Sequence, residues 1–307
     1  MKILFAGTPA VAVEVLDGIL QAGHEVVAIL TREQAPIGRK KILTASPVSK
    51  RGTELGIPVI EANSISKGVL EYIRELGADL AVVVAYGVIL KKDALEAMPL
   101  GWFNLHFSVL PKWRGAAPVQ RSIEAGDKET GVTLFRLDEG MDTGPVVAIA
   151  NAQIHPNETA DDLLSRLGKV AVTLINAEIP GLFAGTAKLS PQIGEATYAS
   201  KPTRQDAKLD FKKHADSLAN TVRAMNSEPM AWCNIGADTI RIIDAAAFRG
   251  VVDTECNPGE VLKLDQRVLV ACGDNTWLEL FKVQPSSKNG MSARDWLNGK
   301  PGQVVLS

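Results

Sequence analysis

Six consecutive apolar residues at 80–85, Leu-Ala-Val-Val-Val-Ala, constrain this fold more than anything else in the chain. A strand with one wet face alternates polar and apolar residues. A strand that is apolar throughout needs cover on both faces, as in a parallel sheet flanked by helices. The surrounding pattern supplies the other parts. Residues 2–6 form a β-rich apolar run ending at Gly7-Thr8-Pro9. Residues 10–22 then place Val11, Val15, Leu16 and Ile19 at helical spacing, and Gly23 ends that segment. Residues 25–30 read as a second strand, 57–60 as a short one and 64–76 as a further helix. At Ser46-Pro47 a capping hydroxyl precedes a proline, which suits the first helical position because no N–H is needed there. The alternation predicts an α/β fold with an open, doubly wound, mostly parallel sheet.

The pattern changes near residue 185. Residues 186–204 are rich in Ala, Ser, Thr, Pro and Gly with no sustained period, which reads as a linker. One amphipathic helix is expected over 214–226. Short strand-like runs follow at 231–235, 239–243, 259–264, 267–272 and 276–283, separated by turn residues such as Gly236-Ala237-Asp238. Strands of this length and spacing predict a small open β-barrel. The expected division is therefore a first domain over 1–188, a linker over 189–206 and a barrel domain over 207–307.

Composition removes several function classes. No uninterrupted apolar run reaches the ~18 residues of a membrane helix, and the apolar part of the amino terminus is too short for a secretion signal. Cys233, Cys256 and Cys272 are scattered without paired spacing, so neither a disulfide framework nor a zinc site is expected, and a reducing cytoplasm is the default. Net charge is −2 overall. One stretch departs from that balance: residues 32–51 hold six basic side chains and the single acid Glu33. Such a run is as often a solvated face as a binding site. The turn Gly7-Thr8-Pro9 lacks the later glycines of a dinucleotide fingerprint, which argues against NAD or FAD.

Residues 101–111 carry the chemistry. In a strand alternate side chains share a face, so Phe103, Leu105 and Phe107 point one way and Asn104, His106 and Ser108 the other. Three polar groups in a sheet covered on both sides fit best near the carboxyl end of the strand, where open α/β sheets bind ligands. An amide and an imidazole two residues apart can both donate to one oxygen, as a tetrahedral oxyanion requires. A lone strand histidine is more often a satisfied core residue. The joint pattern, followed by a proline-ended loop, favours a site. The segment 138–144, Asp-Glu-Gly-Met-Asp-Thr-Gly, reads by spacing alone as an ordinary Asx turn. Only a carboxylate within reach of His106 would give Asp142 a catalytic role.

These residues also carry a resemblance. Asn104-Leu-His106-Phe-Ser108-Val-Leu-Pro111 is similar to the Asn-x-His-x-Ser-Leu-Leu-Pro signature of enzymes that use 10-formyltetrahydrofolate as formyl donor. Asp142-Thr-Gly matches the acidic position of the same enzymes. Residues 113–120, Trp-Arg-Gly-Ala-Ala-Pro-Val-Gln, together with 5–9 and 84–87, resemble the methionyl-tRNA formyltransferase family. The resemblance implies a Rossmann-like catalytic domain, then a tRNA-binding barrel of OB-like type. It implies formylation of the methionine amine on initiator methionyl-tRNA for translation initiation, with the folate as co-substrate and no metal. Asn104, His106 and Asp142 match the catalytic positions. Ser108, Val109, Leu110, Pro111, Tyr86 and Gly87 match the folate-contacting ones, Val109 standing where leucine is usual. Arg39, Lys40 and Lys41 fall in the loop that meets the tRNA, although Ala35 stands where the family has arginine. The implied partners are the initiator tRNA and the folate, for a cytoplasmic monomer with no membrane partner. The alternative is a folate-dependent transferase acting on a small amine, a purine precursor or an amino sugar.

Overall fold

The apolar run at 80–85 becomes the middle of a seven-stranded sheet. The computed structural model describes residues 1–38 and 40–307, with the Ile37 side chain outside the described set. In chain order, β1 (Lys2–Gly7) leads through α1 (Ala10–Gln21) to β2 (Glu25–Thr31). A short hairpin of β3 (Ala35–Ile37) and β4 (Ile42–Thr44) precedes α2 (Pro47–Leu55), β5 (Val59–Glu61), α3 (Lys67–Glu75) and β6 (Leu80–Val84). A single turn, α4 (Lys92–Leu95), comes before β7 (Trp102–His106). After α5 (Pro118–Glu124) follow β8 (Glu129–Arg136), β9 (Val146–Gln153) and the long α6 (Ala160–Ala184). The strand order is β5-β2-β1-β6-β7-β8-β9. The first five strands are parallel, and β8 and β9 are antiparallel additions beyond β7.

Every residue of β6 is buried. Leu4, Ala6, Leu30, Ala81 and Val83 on one face pack with Leu70 and Ile73 of α3 and with Trp102. The Trp102 indole N–H is satisfied by the Ala94 carbonyl at 2.7 Å. Ser46 caps α2 as expected, its hydroxyl accepting from the Ser49 N–H at 2.9 Å. On the opposite side α6 lies against α1. A Cβ on Gly18 would fall 2.4 Å from Val172, so only glycine allows the two helices to approach this closely. Leu167, Ala171, Ile175 and Ile179 form the buried stripe of α6. Among the described residues α6 is the one helix long and apolar enough to cross a bilayer; Asp161, Asp162, Arg166, Lys169 and Glu178 interrupt it.

The chain divides into two compact units. The first comprises Met1–Pro118, Glu129–Gln153 and Leu164–Ala199; the second comprises Val119–Lys128, Ile154–Leu163 and Ser200–Ser307. Two short excursions of the expected first domain thus fold with the second unit. There Arg121 pairs with Glu124 at 2.7 Å and Asp206 at 2.9 Å, and the Arg223 guanidinium donates to the Glu158 carbonyl at 2.9 Å. Residues 189–199, expected to be linker, belong to the first unit. They attach by single bridges: Ser190 to Val146 in both directions, Thr197 and Ala199 to Arg114. Isolated bridges leave no period in the sequence, which is why the stretch reads as unstructured.

The second unit holds α7 (Ala215–Ala224), β10 (Trp232–Ile235), β11 (Asp238–Phe248), β12 (Val261–Leu264), β13 (Arg267–Ala271), β14 (Trp277–Pro285), β15 (Met291–Ser292) and α8 (Ala293–Asn298). Its sheet is antiparallel in the order β10-β11-β14-β13-β12, with β15 on β14. The β11 strand outruns its expected end at 243 because the register shifts on either side of Asp244 and pairing then resumes to Phe248.

Candidate active site

Antiparallel pairing sets the face of β7. Asn104 lies opposite Phe135 and His106 opposite Thr133, so both polar side chains emerge on one side, about 7 Å apart along the strand. His106 is 5% exposed. Its Nε2 is 2.8 Å from the Trp113 carbonyl oxygen. A carbonyl only accepts, so Nε2 carries the proton. The other nitrogen, Nδ1, faces Asp142 Oδ2 at 3.7 Å, and the ring meets Phe135 edge-on. Burial pushes the His106 pKa below its usual value, and the Asp142 charge and the Trp113 carbonyl only partly offset that. The balance favours the neutral ring, with its proton on Nε2. The Nε2–H of His106 is thus engaged by the Trp113 carbonyl rather than left open for the oxyanion donation expected of the imidazole. Asn104 is half-buried, and its amide makes no hydrogen bond among the described residues.

Asp142 reaches this place through an unusual turn. The Asx turn expected at 138–144 exists, but Asp138 makes it, accepting from the Gly140 N–H at 3.0 Å and the Thr143 hydroxyl at 2.6 Å. Asp142 is left to point elsewhere. Its φ of +52° is left-handed, a costly conformation for a residue with a side chain. The Gly115 N–H donates to its Oδ2 at 2.7 Å. Gly144 packs directly on the Arg136 carbonyl; a Cβ there would lie 1.8 Å from that oxygen. Among the described residues no three His, Cys, Asp or Glu side chains are grouped as metal ligands.

Residues 1–179 match the formyl transferase family, and residues 201–301 match the formyl transferase C-terminal domain. A methionyl-tRNA formyltransferase of Paenarthrobacter aurescens (strain TC1) is 44% identical over 308 residues, covering all of both chains. The chain belongs to the methionyl-tRNA formyltransferase family. Two solved structures share the fold. One is an N-formyltransferase from Helicobacter canadensis in complex with folinic acid and dTDP-3-aminofucose, with TM-score 0.68 and 23% identity, covering 93% of this chain and 99% of that one. The other is a methionyl-tRNA formyltransferase from Clostridium thermocellum, with TM-score 0.58 and 16% identity, covering 93% and 98%. Full-length identity to tRNA enzymes favours the main reading over the small-amine alternative.

Against the family's pattern, the segment after β7 is held from within. Ser108 is fully buried, and its hydroxyl donates to the Lys112 carbonyl at 2.5 Å. The Thr133 hydroxyl donates to the Ser108 carbonyl at 2.6 Å and accepts from the Leu110 N–H at 3.1 Å. Leu110 and Pro111 are buried, while Val109 is half-buried. Tyr86 is 2% exposed; its hydroxyl donates to the Ala62 carbonyl at 2.9 Å, and burial raises its pKa to about 12. Gly87 is exposed, with φ +78°. The Tyr86 hydroxyl and the Ser108 hydroxyl are thus already engaged within the fold.

In the basic stretch Arg32 is committed, donating to Asn63 Oδ1 at 2.7 Å and to the Gly87 carbonyl at 3.0 Å. Arg51 pairs with Asp17 at 2.9 Å and Glu54 at 3.1 Å. Lys40 and Lys41 are exposed beside the β3–β4 hairpin; Arg39 lies outside the described residues. Sequence reasoning missed the Trp113 carbonyl and the Gly115 N–H because main-chain groups leave no signature in residue type. Only the match at 113–120 marked the segment.

Proposed function

We propose that Asn104, His106 and Asp142 carry out the family's reaction in this chain: transfer of the formyl group of 10-formyltetrahydrofolate to the amine of initiator methionyl-tRNA. One observation carries this reading. A buried imidazole stands with its Nδ1 3.7 Å from a carboxylate, on the same face of the strand as an amide that makes no hydrogen bond among the described residues. The folate supplies a formyl carbon bonded to nitrogen and open to attack by an amine. Asn104 Nδ2 donates to the formyl oxygen as charge gathers there, a contribution of about 3–4 kcal/mol. His106 Nδ1 takes the proton that the amine loses as its nitrogen bonds to carbon. The same Nδ1 returns that proton to the folate nitrogen as the old C–N bond breaks. Asp142 steadies the transient imidazolium, and the Gly115 N–H keeps that carboxylate oriented.

For the tRNA we assign Arg39, Lys40 and Lys41, which neutralise phosphates, and the strand-rich domain over 207–307. Arg204 and Lys208 lie over the Trp232 ring at 4.6 Å and 5.6 Å, which gathers positive charge around one aromatic side chain. The three cysteines are free thiols, in keeping with a cytoplasmic enzyme. The test is incubation with 10-formyltetrahydrofolate and charged initiator tRNA, with charged elongator tRNA as control. His106→Ala is expected to abolish most turnover and leave tRNA affinity intact. Full activity in that variant would overturn the assignment.

A further inference from the structure

We propose that Gln192 is a positioning residue that holds Asp142 against His106. The proposal rests on the reading of Asp142 as the partner of His106. The side chain of Gln192 makes four hydrogen bonds, all within the first unit. Its Nε2 donates to the Asp142 carbonyl at 2.8 Å and to the Gly144 carbonyl at 2.9 Å. Its Oε1 accepts from Arg114 Nε at 3.1 Å and Nη2 at 2.6 Å. Chemistry fixes the orientation of this amide, since a guanidinium only donates and carbonyls only accept. Gln192 therefore reads both ends of the Asp142-Thr-Gly turn and returns them to Arg114.

Arg114 sits between the two residues that touch the site directly. Trp113 accepts from His106, and Gly115 donates to the Asp142 carboxylate. The backbone of Arg114 is anchored by Thr197 and Ala199, from the same stretch as Gln192. The result is a closed circuit: His106, Trp113, Arg114, Gln192, the Asp142 turn, and back through the carboxylate to Nδ1. A left-handed φ at Asp142 persists only where its surroundings over-determine it. Gly115 fixes one carboxylate oxygen, and Gln192 fixes the main chain at Asp142 and at Gly144. Without Gln192 the turn is free to relax toward ordinary backbone, and the carboxylate turns away from the imidazole.

Two variants separate positioning from simple bracing. Gln192→Ala removes all four bonds. Gln192→Glu keeps the partnership with Arg114 as an ion pair, but its carboxylate repels the two carbonyls it should hold. Both are expected to lower kcat by 10- to 100-fold with KM for folate and tRNA within threefold, in assays run well below the thermal midpoint of each variant. Both should also move the acid limb of kcat to lower pH. Asp142 is the charged group acting on His106, and its withdrawal leaves burial less opposed. A brace that merely stabilised the fold would lower the midpoint without shifting that limb. The proposal is overturned if either variant keeps wild-type kcat and an unmoved limb. Asp142→Asn is assayed alongside. Full activity there sinks the reading of the site itself, whereas loss there with intact Gln192 variants sinks only the role of Gln192.

Discussion

A methyl group added at Gly144 tests how tightly the Asp142 turn must be held. The Cβ of Gly144→Ala would sit 1.8 Å from the Arg136 carbonyl oxygen, about 1.2 Å short of the 3.0 Å that real Cβ contacts respect. Neither side can yield cheaply, because the obstacle is main chain. Arg136 is held by its own N–H to the Pro145 carbonyl at 2.9 Å, and the Gly144 carbonyl is held by Gln192. The turn must therefore move by about an ångström, and Asp142 lies two residues away. A displacement of that size costs about 100-fold in rate when the moved group acts on the reacting centre. Forcing extra volume into packed structure costs about 1–3 kcal/mol, equivalent to ~2–4 °C in Tm per kcal/mol for a unit of this size. Gly140→Ala is the control. Its added Cβ would lie 2.0 Å from Thr143 Oγ1, a side-chain atom that can swing aside at the cost of its bond to Asp138, so a smaller loss than at Gly144 is expected. Single-turnover formylation of charged initiator tRNA and thermal melts read both quantities. Wild-type rate and Tm in Gly144→Ala, or equal damage from both variants, would refute the reasoning.

Other expectations follow from the same geometry. Asn104→Ala should lower kcat by about 100- to 1,000-fold with little change in tRNA affinity, measured by filter binding. The acid limb of kcat under saturating substrates should lie below 6.5, because burial favours neutral His106; in Asp142→Asn, which removes the opposing charge, it should fall further. Tyr86→Phe loses the bond to the Ala62 carbonyl and should lower stability by about 1 kcal/mol in denaturant titration, with folate KM unchanged. Lys40→Ala and Lys41→Ala should each reduce the slope of log affinity against log salt by about one if they neutralise phosphates.

The central strand was legible in the unbroken apolar run at 80–85, and the start of α2 in one hydroxyl before one proline. Asn104 and His106 were legible because strand alternation puts them on one face whatever the rest of the chain does. Asp142 was legible only through the resemblance: spacing alone favoured an Asx turn, the turn exists, and the folded path shows that Asp138 makes it and frees Asp142. The long α6 was equally hidden. Gly168, Pro180 and Gly181 weaken its helical propensity, and burial of Leu167, Ile175 and Ile179 overrides them. Gln192 sits in an aperiodic stretch whose contacts are all long-range, so no local pattern announces it.

Trp113, Arg114 and Gly115 serve the site through a carbonyl oxygen, a guanidinium and an amide hydrogen in turn. Two of these three groups survive any change of side chain. Alanine scanning would therefore score position 113 by the loss of an indole and miss what it contributes. Replacing single peptide linkages by esters, which deletes one N–H and weakens one acceptor at a time, is the experiment suited to a wall built of backbone.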